Sequence, residues 1–227
     1  MKYDKILNKY HIKKEVVMKK LFESNNLNYE EISNMISNGS LIIYPTDTVY
    51  GLGSSIENKE ALDKIYTVKN RDKKFPLIAL LSDKKYVEKI ALINEINREK
   101  IKKLMENFWP GGLTIILDKK SIIPSNMVSN GNSIGVRIPN HKISIKIIES
   151  CGGILATTSA NISGEPSPRS YNELSENIKS KVEIVVDDDG ILKGVESTII
   201  DMRTTPKILR EGHIARIVIE KIIGKVK

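Results

Sequence analysis

Cysteine is nearly absent from this chain. Cys151 stands alone among 227 residues, which excludes an internal disulfide framework and a thiolate zinc cluster and points to a reducing, cytoplasmic setting. Aromatics are scarce as well, at three Phe, eight Tyr and one Trp, so a sheet covered in base-stacking rings is not expected. No apolar run approaches the ~20 residues that a membrane span requires. The N-terminal MKYDKILNKYHIKKEVVMKK is basic but has neither the apolar core nor the small-residue cleavage site of a secretory signal. Several catalytic signatures are also missing. There is no G-x-x-x-x-G-K-[ST] and no H-E-x-x-H, and GLGSSI lacks the third glycine of a dinucleotide fingerprint. Ser159 has no G-x-S-x-G frame, and three histidines without cysteine support show no metal-ligand spacing. An enzyme with this sequence is expected to work through oriented polar groups and cations rather than a covalent nucleophile.

What is present is an ordinary globular composition, 40% apolar and 28% charged, in a chain long enough to bury a substantial core. The net charge is +8. Much of it comes from seven lysines in the first twenty residues, a run read either as a solvated face or as attraction to a polyanion such as RNA. From about residue 29, helical and strand patterns alternate. NYEEISNMISNG places Ile32, Met35 and Ile36 at helical spacing, with Gly39 set to end the helix. NKEALDKIYTVK and HKISIKIIES read as helices, and residues 83–107 as two more. SLIIYP, PLIALL, GLTIIL, SIGVRIP, GILATTS, VEIVVD and STIIDM read as short strands. The expected fold class is α/β or mixed α+β, a sheet covered by helices. The expected division is a basic extension over 1–26 and one domain over 27–227.

Polar groups concentrate in four segments near expected strand ends. IIYPTDTVYGLG runs an apolar strand into two threonines, an aspartate and two glycines, a composition suited to a binding loop. VKNRDKKFPL holds Lys69 and Arg71 at i and i+2, which on extended backbone would face one anion together. ATTSANISGEPSP delivers five small polar residues and then breaks at Gly164 and Pro166. GVESTIID, with ILREGHI downstream, adds a hydroxyl pair and then Arg210 in a turn. Singly, such residues commonly make only local turn bonds.

Together and in this order, PTDTVYGLG, KNR…PL, FWPGGLT, SIGVRIP, TTSANISG, GVESTIID and LREG resemble the YrdC family of L-threonylcarbamoyladenylate synthases, over residues 29 to about 213. The resemblance implies a twisted mixed sheet enclosing a positively charged cavity. It implies a nucleotidyltransferase that makes threonylcarbamoyl-AMP and pyrophosphate from L-threonine, bicarbonate or CO2, and ATP with its Mg²⁺. The product would feed a partner complex that modifies tRNA to threonylcarbamoyladenosine, with a tRNA contact through the basic surface. Carried over by motif, Lys69 and Arg71 are the catalytic cations. Ser159, Asn161, Ser167 and Arg210 would join them in holding ATP and the adenylate, and no protein side chain would ligate metal. Thr46, Thr48, Tyr50, Ser133, Thr157 and Ser197 would form the L-threonine wall. The chain departs from the family pattern at Asp72, where proline usually follows the arginine, at Gly112 in WPGGLT, and at Leu80, where some longer relatives carry histidine. The alternative reading is an RNA-binding module of the same fold without synthase activity.

Overall fold

The computed structural model of the chain describes residues 19–188 and 192–227; most of the expected basic extension lies outside them. In chain order the strands are β1 (Lys20–Glu23), β2 (Ile42–Tyr44), β3 (Gly51–Ser55), β4 (Ile78–Leu81), β5 (Ala91–Leu92), β6 (Leu113–Lys119), β7 (Ser133–Arg137), β8 (Ile154–Ser159), β9 (Ile184–Asp187), β10 (Thr198–Asp201) and β11 (Lys207–Arg210). The helices are α1 (Tyr29–Ser37), α2 (Lys59–Lys69), α3 (Val87–Ile90), α4 (Arg98–Phe108), α5 (Lys142–Ser150), α6 (Glu176–Lys179) and α7 (Arg216–Ile223). All strands join one mixed sheet in the order β1-β9-β2-β3-β8-β4-β7-β6-β10-β11, with β5 paired to β6.

The alternation of side chains along each strand sorts the apolar residues into two cores. Ile42, Tyr44, Leu80, Leu155, Ile184 and Val186 point to one face, where Ile32 and Ile36 of α1 and Ile147 and Ile148 of α5 cover them. Their neighbours Ile43, Ala79, Leu81, Ala156 and Val185 point to the other. That larger core takes Leu62 and Ile65 of α2, Ile101 and Leu104 of α4, and Ile219 of α7. Helix ends follow local chemistry. The Asn28 side chain accepts the Glu31 N–H at 3.1 Å to start α1, and Asn58 accepts that of Ala61 at 2.9 Å to start α2. Gly39, at φ +92°, follows the end of α1 as its left-handed preference predicts.

The sequence pattern placed most of these elements, and the structure adds or corrects others. The sheet reaches back into the extension, because β1 pairs in parallel with β9. Residues 83–107 hold two helical stretches as expected, but β5 lies between them. Arg210 ends a strand rather than sitting in a turn, and α7 follows it. The largest correction is β3. Gly51–Ser55 is not loop but a central strand between β2 and β8. A Cβ on Gly53 would stand 2.8 Å from the Ala156 carbonyl oxygen and 3.3 Å from the Tyr44 ring. Close packing against the neighbouring strand requires glycine there.

Candidate active site

On the α1/α5 face the sheet carries a cavity of about 200 Å³. Neighbouring strands bring its floor together through their register: Ile78 of β4 stands beside Thr157 of β8, Leu80 beside Arg137 of β7, and Ile199 of β10 beside both Thr114 of β6 and Arg210 of β11. The loop from Thr46 to Tyr50, between β2 and β3, closes one side, and Arg71, Pro76 and Glu196 form the rim.

The inner end is a network of buried polar side chains. Arg137, 4% exposed, donates from Nε to the Gly111 carbonyl at 2.9 Å and from Nη1 to Thr48 Oγ1 at 3.0 Å. Its Nη2 pairs with Asp47. Burial pulls the Arg137 pKa below its ordinary value, and Asp47 opposes the shift. The Thr46 hydroxyl donates to the Val49 carbonyl at 2.6 Å and accepts the N–H groups of Thr48 and Val49. It is spent on the shape of the loop. The hydroxyls of Thr157 and Tyr44 bond to each other at 2.8 Å, and those of Thr114 and Ser197 at 2.9 Å. Tyr50 is fully buried, and its hydroxyl is pinned to both the N–H and the carbonyl of Asp188.

The outer end joins two motifs some ninety residues apart. Lys69 ends α2, and Asn70, in the left-handed conformation at φ +50°, turns the chain into Arg71. The pair is therefore not extended. Lys69, 1% exposed, donates from its ammonium to the carbonyls of Ser159 and Asn161 and to Asn161 Oδ1. Burial first, then the charge of Arg71, lowers its pKa to about 7. Arg71 instead turns to the cavity, its guanidinium held by the carbonyls of Phe75 and Pro76 at 3.1 and 3.2 Å. Arg210 donates to the Ser197 carbonyl at 2.9 Å and pairs with Glu196, whose other oxygen accepts the Ser167 hydroxyl at 2.6 Å.

Of the twelve expected site residues, eight line the cavity: Thr46, Thr48, Tyr50, Arg71, Thr157, Ser159, Ser197 and Arg210. Lys69 and Asn161 support it from behind through the Ser159 turn. Ser167 reaches it through Glu196. Ser133 opens β7 opposite Asp118, at the far end of that strand from Arg137, and does not line it. Sequence reasoning missed Arg137, Asp47 and Glu196. A charged residue inside the apolar run SIGVRIP was the available signal, since arginine is seldom fully buried unpaired. Two departures from the family pattern are locally accommodated. Asp72 pairs with Lys74 at 3.0 Å, so its charge is taken up away from Arg71. Gly112 leaves room for the His213 ring, which a Cβ there would meet at 3.0 Å.

Fold and site together define an α/β protein whose mixed sheet carries a polar cavity lined by three arginines. The chain belongs to the Sua5/YciO/YrdC family, described as telomere recombination, whose profile matches residues 34–212. It is 37% identical over 196 residues to the threonylcarbamoyl-AMP synthase of Pyrococcus abyssi, covering 86% of this chain and 57% of that protein. It is also 37% identical to a putative threonylcarbamoyl-AMP synthase of Methanocaldococcus jannaschii, covering 82% of this chain and 86% of that one. Among solved structures, P. abyssi Sua5 complexed with L-threonine matches with a TM-score of 0.85 at 33% identity, over 92% of this chain and 62% of that one. E. coli YciO shares the fold with a TM-score of 0.76. The chain thus spans little more than half the length of the P. abyssi relative.

Proposed function

We propose that the protein is an L-threonylcarbamoyladenylate synthase. The observation that carries this reading is the two-ended cavity. Its inner end offers a buried arginine among threonine and serine hydroxyls, and its outer end offers two more arginines. The inner end suits a small hydroxy amino acid. Arg137 would meet the carboxylate, with Thr48, Thr157 and Ser197 around the hydroxyl and amine. A site whose buried polar groups pair with a substrate hydroxyl rejects analogues that lack it, because those groups would be left unpaired. At about 200 Å³ the cavity is smaller than the ~300 Å³ at which ligand pockets begin, so ATP would extend outward over Arg71, Ser159 and Arg210.

Threonine N-carboxylate, formed from the amine and CO2 or bicarbonate, is an anion that attacks the α-phosphorus of a second anion. A carbamate oxygen bonds to phosphorus, the bond to the bridging oxygen breaks, and pyrophosphate leaves with its electron pair. Arg71 and Arg210 would offset the repulsion and stabilise charge on the transferring group. Lys69 would contribute a positive field and hold the Ser159–Asn161 turn. Positioning supplies the remainder, since no covalent enzyme intermediate is required. No group of three His, Cys, Asp or Glu suited to a metal occurs among the described residues, and Mg²⁺ would travel on the phosphate oxygens of ATP.

Transfer of the product to tRNA by a partner complex, a tRNA contact through the basic surface and a cytoplasmic location complete the reading. No helix among the described residues is long and apolar enough to cross a membrane. The test is pyrophosphate release from ATP and bicarbonate with L-threonine, L-serine or L-valine. Threonine-dependent release is expected, and its loss in a Lys69→Ala, Arg71→Ala double variant. Folded protein that releases no pyrophosphate with any amino acid yet binds RNA would replace this reading with an RNA-binding module.

A further inference from the structure

Among the described residues Glu196 is the one carboxylate that lines the cavity, which Arg71, Arg137 and Arg210 also line. It also lines the neighbouring basin formed by Glu165, Pro166, Ser167 and Arg169, so it stands on the ridge between the two concavities. Its backbone is fixed. The Glu196 carbonyl accepts the His213 N–H at 2.9 Å and lies so close to Gly212 that a Cβ there would meet it at 2.2 Å. Its side chain, in contrast, is 36% exposed and is held only at its two carboxylate oxygens. One carboxylate oxygen pairs with Arg210 and the other accepts the Ser167 hydroxyl at 2.6 Å. An Arg and a hydroxyl around a tetrahedral or trigonal oxyanion are what a phosphate group also takes.

We propose that Glu196 is an exchange residue for the nucleotide phosphates: its carboxylate holds Arg210 and Ser167 together, and an incoming phosphate group displaces it from both. The proposal rests on the reading that this cavity binds a nucleotide. Two physical points support it. A half-exposed Arg–carboxylate pair contributes little net stability, so releasing Glu196 costs little. A carboxylate beside a phosphate repels it, and Glu196 also acts through space on both Lys69 and Arg71. The consequence is directional. Glu196 lowers anion affinity and returns to Arg210 and Ser167 as pyrophosphate departs, which favours product release.

The experiment is calorimetric titration of inorganic pyrophosphate into the full chain, comparing the wild type with Glu196→Gln, Arg210→Ala and the double variant. Glutamine keeps the shape and one acceptor oxygen while removing the charge. Glu196→Gln is expected to bind pyrophosphate about tenfold more tightly, with the gain disappearing when Arg210 is also alanine. Glu196→Asp, whose shorter side chain cannot span both partners, is expected to fall between and serves if the glutamine variant does not fold. Equal or weaker binding by Glu196→Gln would overturn the proposal and make Glu196 a fixed support for Arg210. Threonine-dependent pyrophosphate release by the wild type is measured alongside. If that release is absent while Glu196→Gln still tightens pyrophosphate binding, the synthase reading fails and the anion exchange stands. If release is present and binding does not tighten, the reverse holds.

Discussion

The two ends of the cavity are built by different physics. At the inner end Thr46, Asp47, Thr48, Arg137, Thr157 and Ser197 are each no more than 6% exposed, and apart from one Asp47 carboxylate oxygen their polar side-chain atoms bond to other side chains or to a tight loop. At the outer end Arg71, Ser159, Asn161, Ser167 and Glu196 are only partly buried and Arg210 is exposed, and several bond to backbone carbonyls or to one another. A buried network has little freedom to rearrange, because each member removed leaves a partner unsatisfied. Exposed arginines held by carbonyls exchange those partners for an anion at small cost. The contrast explains how one cavity can select a small amino acid rigidly and still accept and discharge a larger, highly charged nucleotide.

The sharpest way to break this comparison is to remove one arginine from each end. Arg137→Met would leave the Asp47 carboxylate buried beside no cation, and loss of one partner of a buried pair costs about 3–5 kcal/mol. A corresponding fall in the urea midpoint is expected, partly restored by adding Asp47→Asn. Arg71→Ala removes only a cation held by two carbonyls. Its stability is expected to stay within about 0.5 kcal/mol of wild type, while threonine-dependent pyrophosphate release collapses. Equal stability losses at the two positions would mean that the ends do not differ as described.

A smaller change sharpens the inner end alone. Thr48→Val keeps shape but removes the oxygen that accepts from Arg137 Nη1 and bonds to Thr46. A hydrogen bond to a charged group contributes roughly 1.5–3 kcal/mol. The KM for L-threonine is therefore expected to rise by about tenfold or more, with kcat less affected. An unchanged KM would remove Thr48 from the amino-acid site.

The same contrast sets how much could be read from sequence. Helices α1, α2 and α5 declare themselves by periodicity, and strands β2, β4 and β6 to β10 by short apolar runs, of which β2, β4, β8 and β9 send side chains into both cores. β3 shows neither signal. GLGSS has no apolar alternation, and it is its pairing between β2 and β8 that makes it a strand. β1, β5 and β11 are short and lie at the sheet's margins, where local pattern carries little signal. The hydroxyls of the inner end were legible as a family motif, yet their partners Arg137 and Asp47 belong to segments some ninety residues apart. No local rule joins those segments before the fold does. The extended geometry expected for Lys69 and Arg71 does not hold for the opposite reason: a helix ends there, and left-handed Asn70 turns the chain so that the two cations take different partners.

Lys69 is the member of the outer end that shares the burial of the inner one, and it gives the smallest and most discriminating test. Burial and Arg71 lower its pKa from 10.5 to about 7, while the oxygens of Ser159 and Asn161 favour the charged form. Between those two values the unfolded chain carries a proton that the folded chain lacks, so this group makes folding stability rise as pH increases from about 7 toward 10.5. Nucleotide binding runs the other way. Phosphate near Lys69 favours the ammonium, so affinity is greatest below pH 7 and declines as pH rises through that value. At pH 8, binding is expected to take up a fraction of one proton more in the wild type than in Lys69→Met, read by calorimetry in buffers of different ionisation enthalpy. If the two proteins take up the same number of protons, the ammonium is charged throughout, held by Ser159 and Asn161. Lys69 would then belong with the fixed inner network rather than with the exchangeable groups around it.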